Sequence, residues 1–350
     1  MTEKLQEIVP AGAPARSGRD RFLSWLKNTG RTCGFAAVLL VALIIANVIA
    51  IPGFLSSAGY LALLVAGLAP IAIAAIASTP SILSGGGGVD ISIGPLVGFI
   101  NIMLTIVLIP HGLGAPWIAI PVLLVLGTLV GAINGVAVAR LRYQPVIATV
   151  CVYFILNGVN LSLAPTPASA PSNWTWALSG HIGPFPVALL TIAVPILIWI
   201  GLRQTPYVRT LLAVGGNDAA ALSAGINIAN VRTFAYALGG LFAAIGGIAM
   251  AAVFRSADPN TPMQYTLIAL AAVALGGTPL TGGRGGITGS AIGAAVIFMI
   301  QNLLAALQVS NDLLPAIYGG LLIIAIILAS RIDAAQSKAP ADLTSRLPRP

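Results

Sequence analysis

The chain has 350 residues, 57 % hydrophobic and 7 % charged, against about 45–50 % and about 25 % in an ordinary soluble domain. Apolar runs near the roughly 20 residues needed to cross about 30 Å of hydrocarbon recur from Phe35 to Ala329, which excludes a sizeable soluble catalytic domain. The net charge of +8 sits mostly in short connections between those runs, where it sets orientation, so nucleic-acid binding is excluded as a role.

In chain order, residues 1–34 form a polar N-terminal segment carrying Arg16, Arg19, Arg21, Lys27 and Arg31. Its basic front resembles a signal peptide, but it is long and no small-residue cleavage site follows, which favours an uncleaved first span. The transmembrane region, 35–330, divides into expected spans at 35–51, 59–79, 93–110, 118–138, 146–163, 186–202, 232–253, 265–279, 287–306 and 314–330, with the third and eighth irregular. The fold class is therefore an all-α integral membrane protein of about ten transmembrane helices, some of them broken by glycine. Residues 331–350, rich in Pro, Ala and Ser, read as a disordered tail. Cys33 and Cys151 suit neither a disulfide nor a metal framework and read as packing residues.

Alternate connections carry Arg140 and Arg142, then Arg203, Arg209 and Arg232, then Arg284, while the opposite connections hold only Arg255. The positive-inside rule then places both termini in the cytoplasm. The outer connections "HGLGAPW", "APTPASAPSNWTWALSGHIGPFP" and "RSADPNTPMQ" are Pro-rich, and Trp117, Trp174 and Trp176 sit where interfacial aromatics anchor spans. Asn173-Trp174-Thr175 matches a glycosylation acceptor by chance, and His111 and His181 are unpaired in sequence, so no metal site is expected.

After the second span, Gly85, Gly86, Gly87 and Gly88 precede Asp90. Each glycine costs about 1 kcal/mol in a helix relative to alanine, so the helix should break there. Irregular backbone at membrane depth is tolerated only where protein buries it or water solvates it. Asp90 then has three possible roles: a cap on the next helix, a direct solute contact, or a proton-coupling carboxylate as in a secondary transporter. Small residues at Gly127, Gly131 and Gly135, and at Gly285, Gly289 and Gly293, form stripes for close helix packing.

The longest inner connection, 203–232, holds a short helical stretch from Asp218 to Ala224, led by Gly215, Gly216 and Asn217 and closed by Gly225. Ala220 and Ala221 lie at its centre, in a segment suited either to docking or to mere connection. A second glycine-dense interruption, with Gly282 and Gly283 as hinges, follows the eighth span and sets Arg284 opposite Asp90 in a loose alignment. The phosphate-binding pattern G-x-x-x-x-G-K-[ST] occurs nowhere in the chain, so ATP hydrolysis by a P-loop is not expected of it.

Four stretches, "GGVDISIG" at 87–94, "GAINGVAVARLRYQPVIAT" at 131–149, "AVGGNDAAALSAGIN" at 213–227 and "LGGTPLTGGRGGITGSAIGA" at 275–294, stand in fixed order. Together they resemble the permease subunit of carbohydrate-uptake ABC transporters of the ribose/xylose/arabinose/galactofuranose type, within the branched-chain amino acid/ribose permease superfamily, over about 61–329. The resemblance implies a multi-pass bacterial inner-membrane permease that pairs with a second copy or paralogue and lines a solute path. It implies a periplasmic solute-binding protein that delivers cargo and a cytoplasmic ATP-binding subunit that docks on residues 213–227. The permease would perform no chemistry and need no cofactor; membrane lipid surrounds it. Thr266 and Ile268 stand where relatives often carry acids, and "LAPTPASAP" at 163–171 replaces a glycine-rich turn. Both departures are expected in the outer half of the path or at the binding-protein surface, and both argue against ribose as the default cargo.

A polyol asks for neutral hydrogen-bonding groups. The candidates along the path are Ser92, Asn101, Asn134, Asn157, Asn160, Gln301 and Asn302, with Asp90 nearby. Any one of these amides is more often glue between helices than a ligand. The competing class is a secondary transporter coupled to protons or cations through Asp90. Paired intramembrane acids, a histidine cluster or a nucleophile–base set, which a membrane enzyme would need, are not found.

Overall fold

A computed structural model describes residues 18–54, 58–169, 181–182, 185–310, 313–320, 323 and 327. In chain order the helices are α1 (Gly18–Ala50), α2 (Ala58–Leu83), α3 (Ile93–Ile102), α4 (Pro116–Ala139), α5 (Pro145–Leu163), α6 (Ala188–Gln204), α7 (Pro206–Gly216), α8 (Asp218–Ser223), α9 (Ile228–Phe254), α10 (Thr261–Leu275) and α11 (Ile287–Ala306). Proline opens α4, α5 and α7 in the first turn, where a missing N–H is harmless. Asparagine opens α8 and α9: the Asn217 and Asn227 side chains accept from Ala220 N–H and Asn230 N–H, each at 3.0 Å. Beyond α3 the chain continues through a π-helical turn, Met103–Leu108.

Six of the described helices are long and apolar enough to cross a membrane: Cys33–Ala50, Gly59–Leu83, Pro116–Ala139, Pro145–Leu163, Ile228–Phe254 and Ile287–Ala306. A seventh candidate joins Leu189–Gln204 to Pro206–Gly216 through an 87° bend. Among the described residues this does not confirm about ten spans, and two features keep the number of long helices down. Ile93–Leu108 and Gln264–Leu275 are apolar helical segments of 10–17 residues, and the glycines beside them run in turns at positive φ. Pro206 restarts the chain in a new direction, because the preceding Thr205 is held extended and caps Tyr207 N–H. The expected last span lies partly outside the described residues, and Asn173, Trp174, Trp176 and the tail lie wholly outside them.

Burial ranks the helices. Buried residues make up 78 % of the spanning part of α9 and 61 % of that of α2, against 17 % for α1 and α5, so α9 and α2 form the centre. Gly127, Gly131 and Gly135 of α4 lie against Gly240, Tyr236 and Thr233 of α9, as the stripe requires. On α11 the stripe is shorter than expected: Gly289 and Gly293 face α10, but Gly285 precedes the helix, with φ +105°. Cys33 is buried and reaches Gly276 O, whereas Cys151 is exposed on α5 and is no packing residue. Two short antiparallel pairings complete the other end. Ala168–Ser169 meets Ser256–Ala257, and His181–Ile182 meets Phe185–Pro186.

Candidate functional site

The three glycine-rich stretches singled out in the sequence meet at one end of the bundle. Gly85, Gly86 and Gly87, all at positive φ, turn the chain sharply after α2. Leu83 O accepts a hydrogen bond from Gly283 N–H at 3.2 Å, joining the first break to the second. Gly215, at the end of α7, lies in the same contact. A Cβ placed on it would overlap Leu83 O and stand 2.6 Å from Gly283 N, and one on Gly85 would stand 2.7 Å from Gly215 Cα. Backbone touches backbone here, and no side chain fits between.

The short helix α8 follows immediately and carries the expected features. Asn217 caps it, Gly225 ends it at φ +78°, Ala220 and Leu222 are exposed and Ala221 is buried. Asp218, its first residue, pairs with Arg232 of α9 at 2.8 Å. Arg140, also at this end, donates to Asn230 at 3.2 Å. A cleft of about 840 Å³ opens beside α8, with Gly86, Arg142, Asp218, Arg232 and Tyr236 in its lining. Arg284 is exposed and Asp90 buried, so the loose alignment of the two breaks does not place those residues equivalently.

Asp90 is 2 % exposed. Its Oδ1 accepts from Ser92 N–H at 2.9 Å and from Ser92 O–H at 2.7 Å, an arrangement that closes the turn leading into α3. The Asn134 amide of α4 donates to Ser92 Oγ at 2.8 Å and faces the carboxylate at 3.4 Å. Neighbouring helices hold the main chain of this turn. Ile91 N–H donates to Thr149 Oγ1 of α5 at 3.2 Å, and Thr266 Oγ1 of α10 donates to Ile91 O at 3.0 Å. Thr266 also accepts from Gly94 N–H at 3.2 Å. Of the two places expected for Thr266 and Ile268, the outer half of the path or the binding-protein surface, burial leaves the first: both are buried, and Thr266 supports the Asp90 turn.

The remaining candidates fall into two groups. Asn101 donates to Ser256 O and Asn160 to Pro95 O, each at 3.0 Å, while the side-chain oxygens of Asn101, Asn134, Asn157 and Asn160 and the Tyr236 hydroxyl are buried without a protein partner. Such atoms cost about 1–3 kcal/mol each unless water or a solute satisfies them. They lie on α3, α4, α5 and α9, the helices that surround the Asp90 turn. Gln301 and Asn302 are elsewhere. Gln301 donates to Tyr318, and Asn302 bonds Asn47 of α1 and Tyr60 of α2, so these two tie α11 to its neighbours.

Residues 60–326 match the family described as branched-chain amino acid transport system / permease component. The chain belongs to this family. The permease is 36 % identical over 249 residues to the ribose import permease RbsC of Escherichia coli, covering 69 % of this chain and 76 % of that one. It is 33 % identical over 235 residues to RbsC of Haemophilus influenzae, covering 64 % and 71 %. Against the fructose import permease FruF of Bifidobacterium longum the figures are 30 % over 264 residues, 72 % and 73 %. No solved structure matches at comparable stringency.

Arg232, Tyr236 and Thr149 belong to the candidate site although the sequence did not single them out for it. Arg232 entered as one more positive charge at an inner connection, Thr149 only as the end of the 131–149 stretch, and Tyr236 not at all. Their partners, Asp218 and Ser84 for Arg232 and the cleft for Tyr236, are brought to them only by the fold.

Proposed function

We propose that the permease is the membrane subunit of an ATP-driven importer that carries a monosaccharide or similar small polyol across a bacterial inner membrane. A periplasmic binding protein would deliver the solute, a second permease copy or paralogue would complete the path, and both termini would face the cytoplasm. The ATP-binding partner would dock on α8. The observation that carries this proposal is the junction just ahead of α8: Gly215, at the end of α7, lies against backbone of both helix breaks, so a partner that moves α8 pulls on that contact through Gly216 and Asn217. Relatives named for ribose and fructose import support a sugar as cargo.

Along the path, Asp90, Ser92 and Asn134 hold the start of α3, and the unpartnered asparagine oxygens accept hydrogen bonds from solute hydroxyls or water. Neutral acceptors suit an uncharged polyol because they exact a small desolvation cost at each step. Asp90 serves as a structural acceptor, since Ser92 satisfies its inner oxygen twice. The test is uptake into proteoliposomes containing the permease, its ATP-binding partner and the binding protein. Uptake should require ATP, ignore a proton gradient and survive Asp90→Asn at half the wild-type rate or better, roughly. Uptake by the permease alone, driven by a gradient and abolished by Asp90→Asn, would instead establish a secondary transporter.

A further inference from the structure

Arg232 occupies a position that no motif marks. It sits in the second turn of α9, yet its guanidinium leaves that helix and makes contacts with two other elements. Nη2 donates to both carboxylate oxygens of Asp218, at 2.8 Å each, and Nε and Nη2 donate to Ser84 O at 3.3 Å. Ser84 O is one of the carbonyls left open where α2 stops, and Asp218 is the first residue of α8. The same side chain closes over Gly86, where a Cβ would stand 2.9 Å from the guanidinium carbon. One residue therefore fastens the docking helix to the first helix break and holds both against the central helix.

Hydrogen bonding extends the connection to the second break. Gly283 N–H bonds Leu83 O, the carbonyl immediately before Ser84, and Gly215 wedges against both segments. The Arg232 side chain is 17 % exposed and that of Asp218 47 %, so the pair has a sheltered cation and a carboxylate at the water edge. Its strength in isolation is modest at that exposure. Its geometry is what matters: one guanidinium spans two elements, Nη2 shared between the Asp218 carboxylate and Ser84 O and Nε directed to Ser84 O, so the two cannot separate without breaking these bonds.

We infer that Arg232 is a positioning residue that, through its clasp on Asp218 and Ser84, makes α8 and the two glycine breaks at 84–88 and 276–286 move as one unit. Without the clasp, α8 swings on Gly216 and Gly225 and its displacement is lost before it reaches α2 and α11. This goes beyond docking, because a partner can bind α8 whether or not the clasp is closed. In its transport consequence it rests on the import function proposed above, and the experiment has one arm that does not.

In the first arm the full-length permease in detergent is followed by hydrogen exchange and mass spectrometry. Asp218→Asn and Arg232→Gln should each raise exchange in segments 82–92, 213–227 and 276–286 together, by at least about threefold, and Asp218→Glu should restore wild-type protection. A rise confined to 213–227 overturns the inference. Asp218→Asn lies at the surface, so it reports even where Arg232→Gln fails to fold. In the second arm the assembled importer is reconstituted with its ATP-binding partner and binding protein. Asp218→Asn should lower solute taken up per ATP hydrolysed by about fivefold or more, the ratio being taken at equal amounts of bound partner because Asp218 belongs to the docking helix. An unchanged ratio counts against the clasp. Absence of ATP-dependent uptake in the wild type would remove the import proposal and leave the first arm to decide the clasp alone.

Discussion

At the scale of single residues, Gly215 and Gly216 form a natural experiment, two neighbouring glycines in the same short helix with opposite surroundings. Nothing lies within 4 Å of a Cβ added to Gly216, while one added to Gly215 overlaps Leu83 O and crowds Gly283. Gly215→Ala must therefore push two backbone segments apart, and overpacking of that kind costs about 1–3 kcal/mol. Gly216→Ala should be neutral or slightly stabilising, by up to about 1 kcal/mol, since alanine is the better helix former. Thermal unfolding of both variants in the same detergent checks the contrast. Equal midpoints would mean that the junction does not exist in solution. A glycine pair in a sequence does not announce which member touches a neighbour, and here only the path of the surrounding chain decides it.

At the scale of elements, α8 divides its residues between a seat and an exposed face. Ala221 is 4 % exposed and packs inward, whereas Leu222 is 66 % exposed and Ala220 lies on the open side. An apolar side chain so exposed on a short capped helix is what a docking contact needs. We expect Leu222→Asp and Ala220→Glu to reduce co-purification of the ATP-binding partner by about tenfold or more, with unfolding midpoints unchanged. Ala221→Glu should instead lower the midpoint, because it forces a charge into a packed site. Retention of the partner by Leu222→Asp would argue for docking elsewhere. Much of this element was legible in advance: the Asn217 cap, the Gly225 stop and the apolar centre fixed its limits to within a residue. The breaks were legible too, from the cost of consecutive glycines. The irregular spans were harder, because hydropathy reports how apolar a run is and not whether its backbone is helical. Residues 93–110 and 265–279 are apolar enough for spans, yet the first changes from α- to π-helix part-way and the second ends its helix at Leu275 in a turn. The candidate asparagines illustrate the same limit. Sequence alone weighed Asn134 and Asn302 alike, but one meets the Asp90 turn and the other stitches α11 to α1 and α2.

At the scale of the whole molecule, charge and glycine organise opposite needs at one end. Arg140, Arg142, Arg203, Arg209, Arg232 and Arg284 all belong to the end at which α2 stops, α8 lies and α9 begins, while Arg255 caps α9 at the other. The positive-inside rule turns that asymmetry into a prediction of direction: the arginine end, with α8 and the glycine junction, is expected to face the cytoplasm. Two exposed leucines mark the ends. Leu222 belongs to α8, and Leu113, 44 % exposed, lies in the connection after the π-helical turn, at the far end. In a background with Cys151 replaced by serine, Leu113→Cys should react with a membrane-impermeant thiol reagent in intact spheroplasts, and Leu222→Cys only after the membrane is opened. The reverse order would place the docking helix outside the cell, where no ATP-binding partner exists, and would remove the physical basis for ATP-driven import. The expected order would put α8 on the side where ATP is made, next to the junction of Gly85, Gly215 and Gly283. Under the proposed docking, motion supplied at α8 would pass to Gly215 and cross one backbone contact to reach both helix breaks, a route by which a six-residue helix would drive the permease.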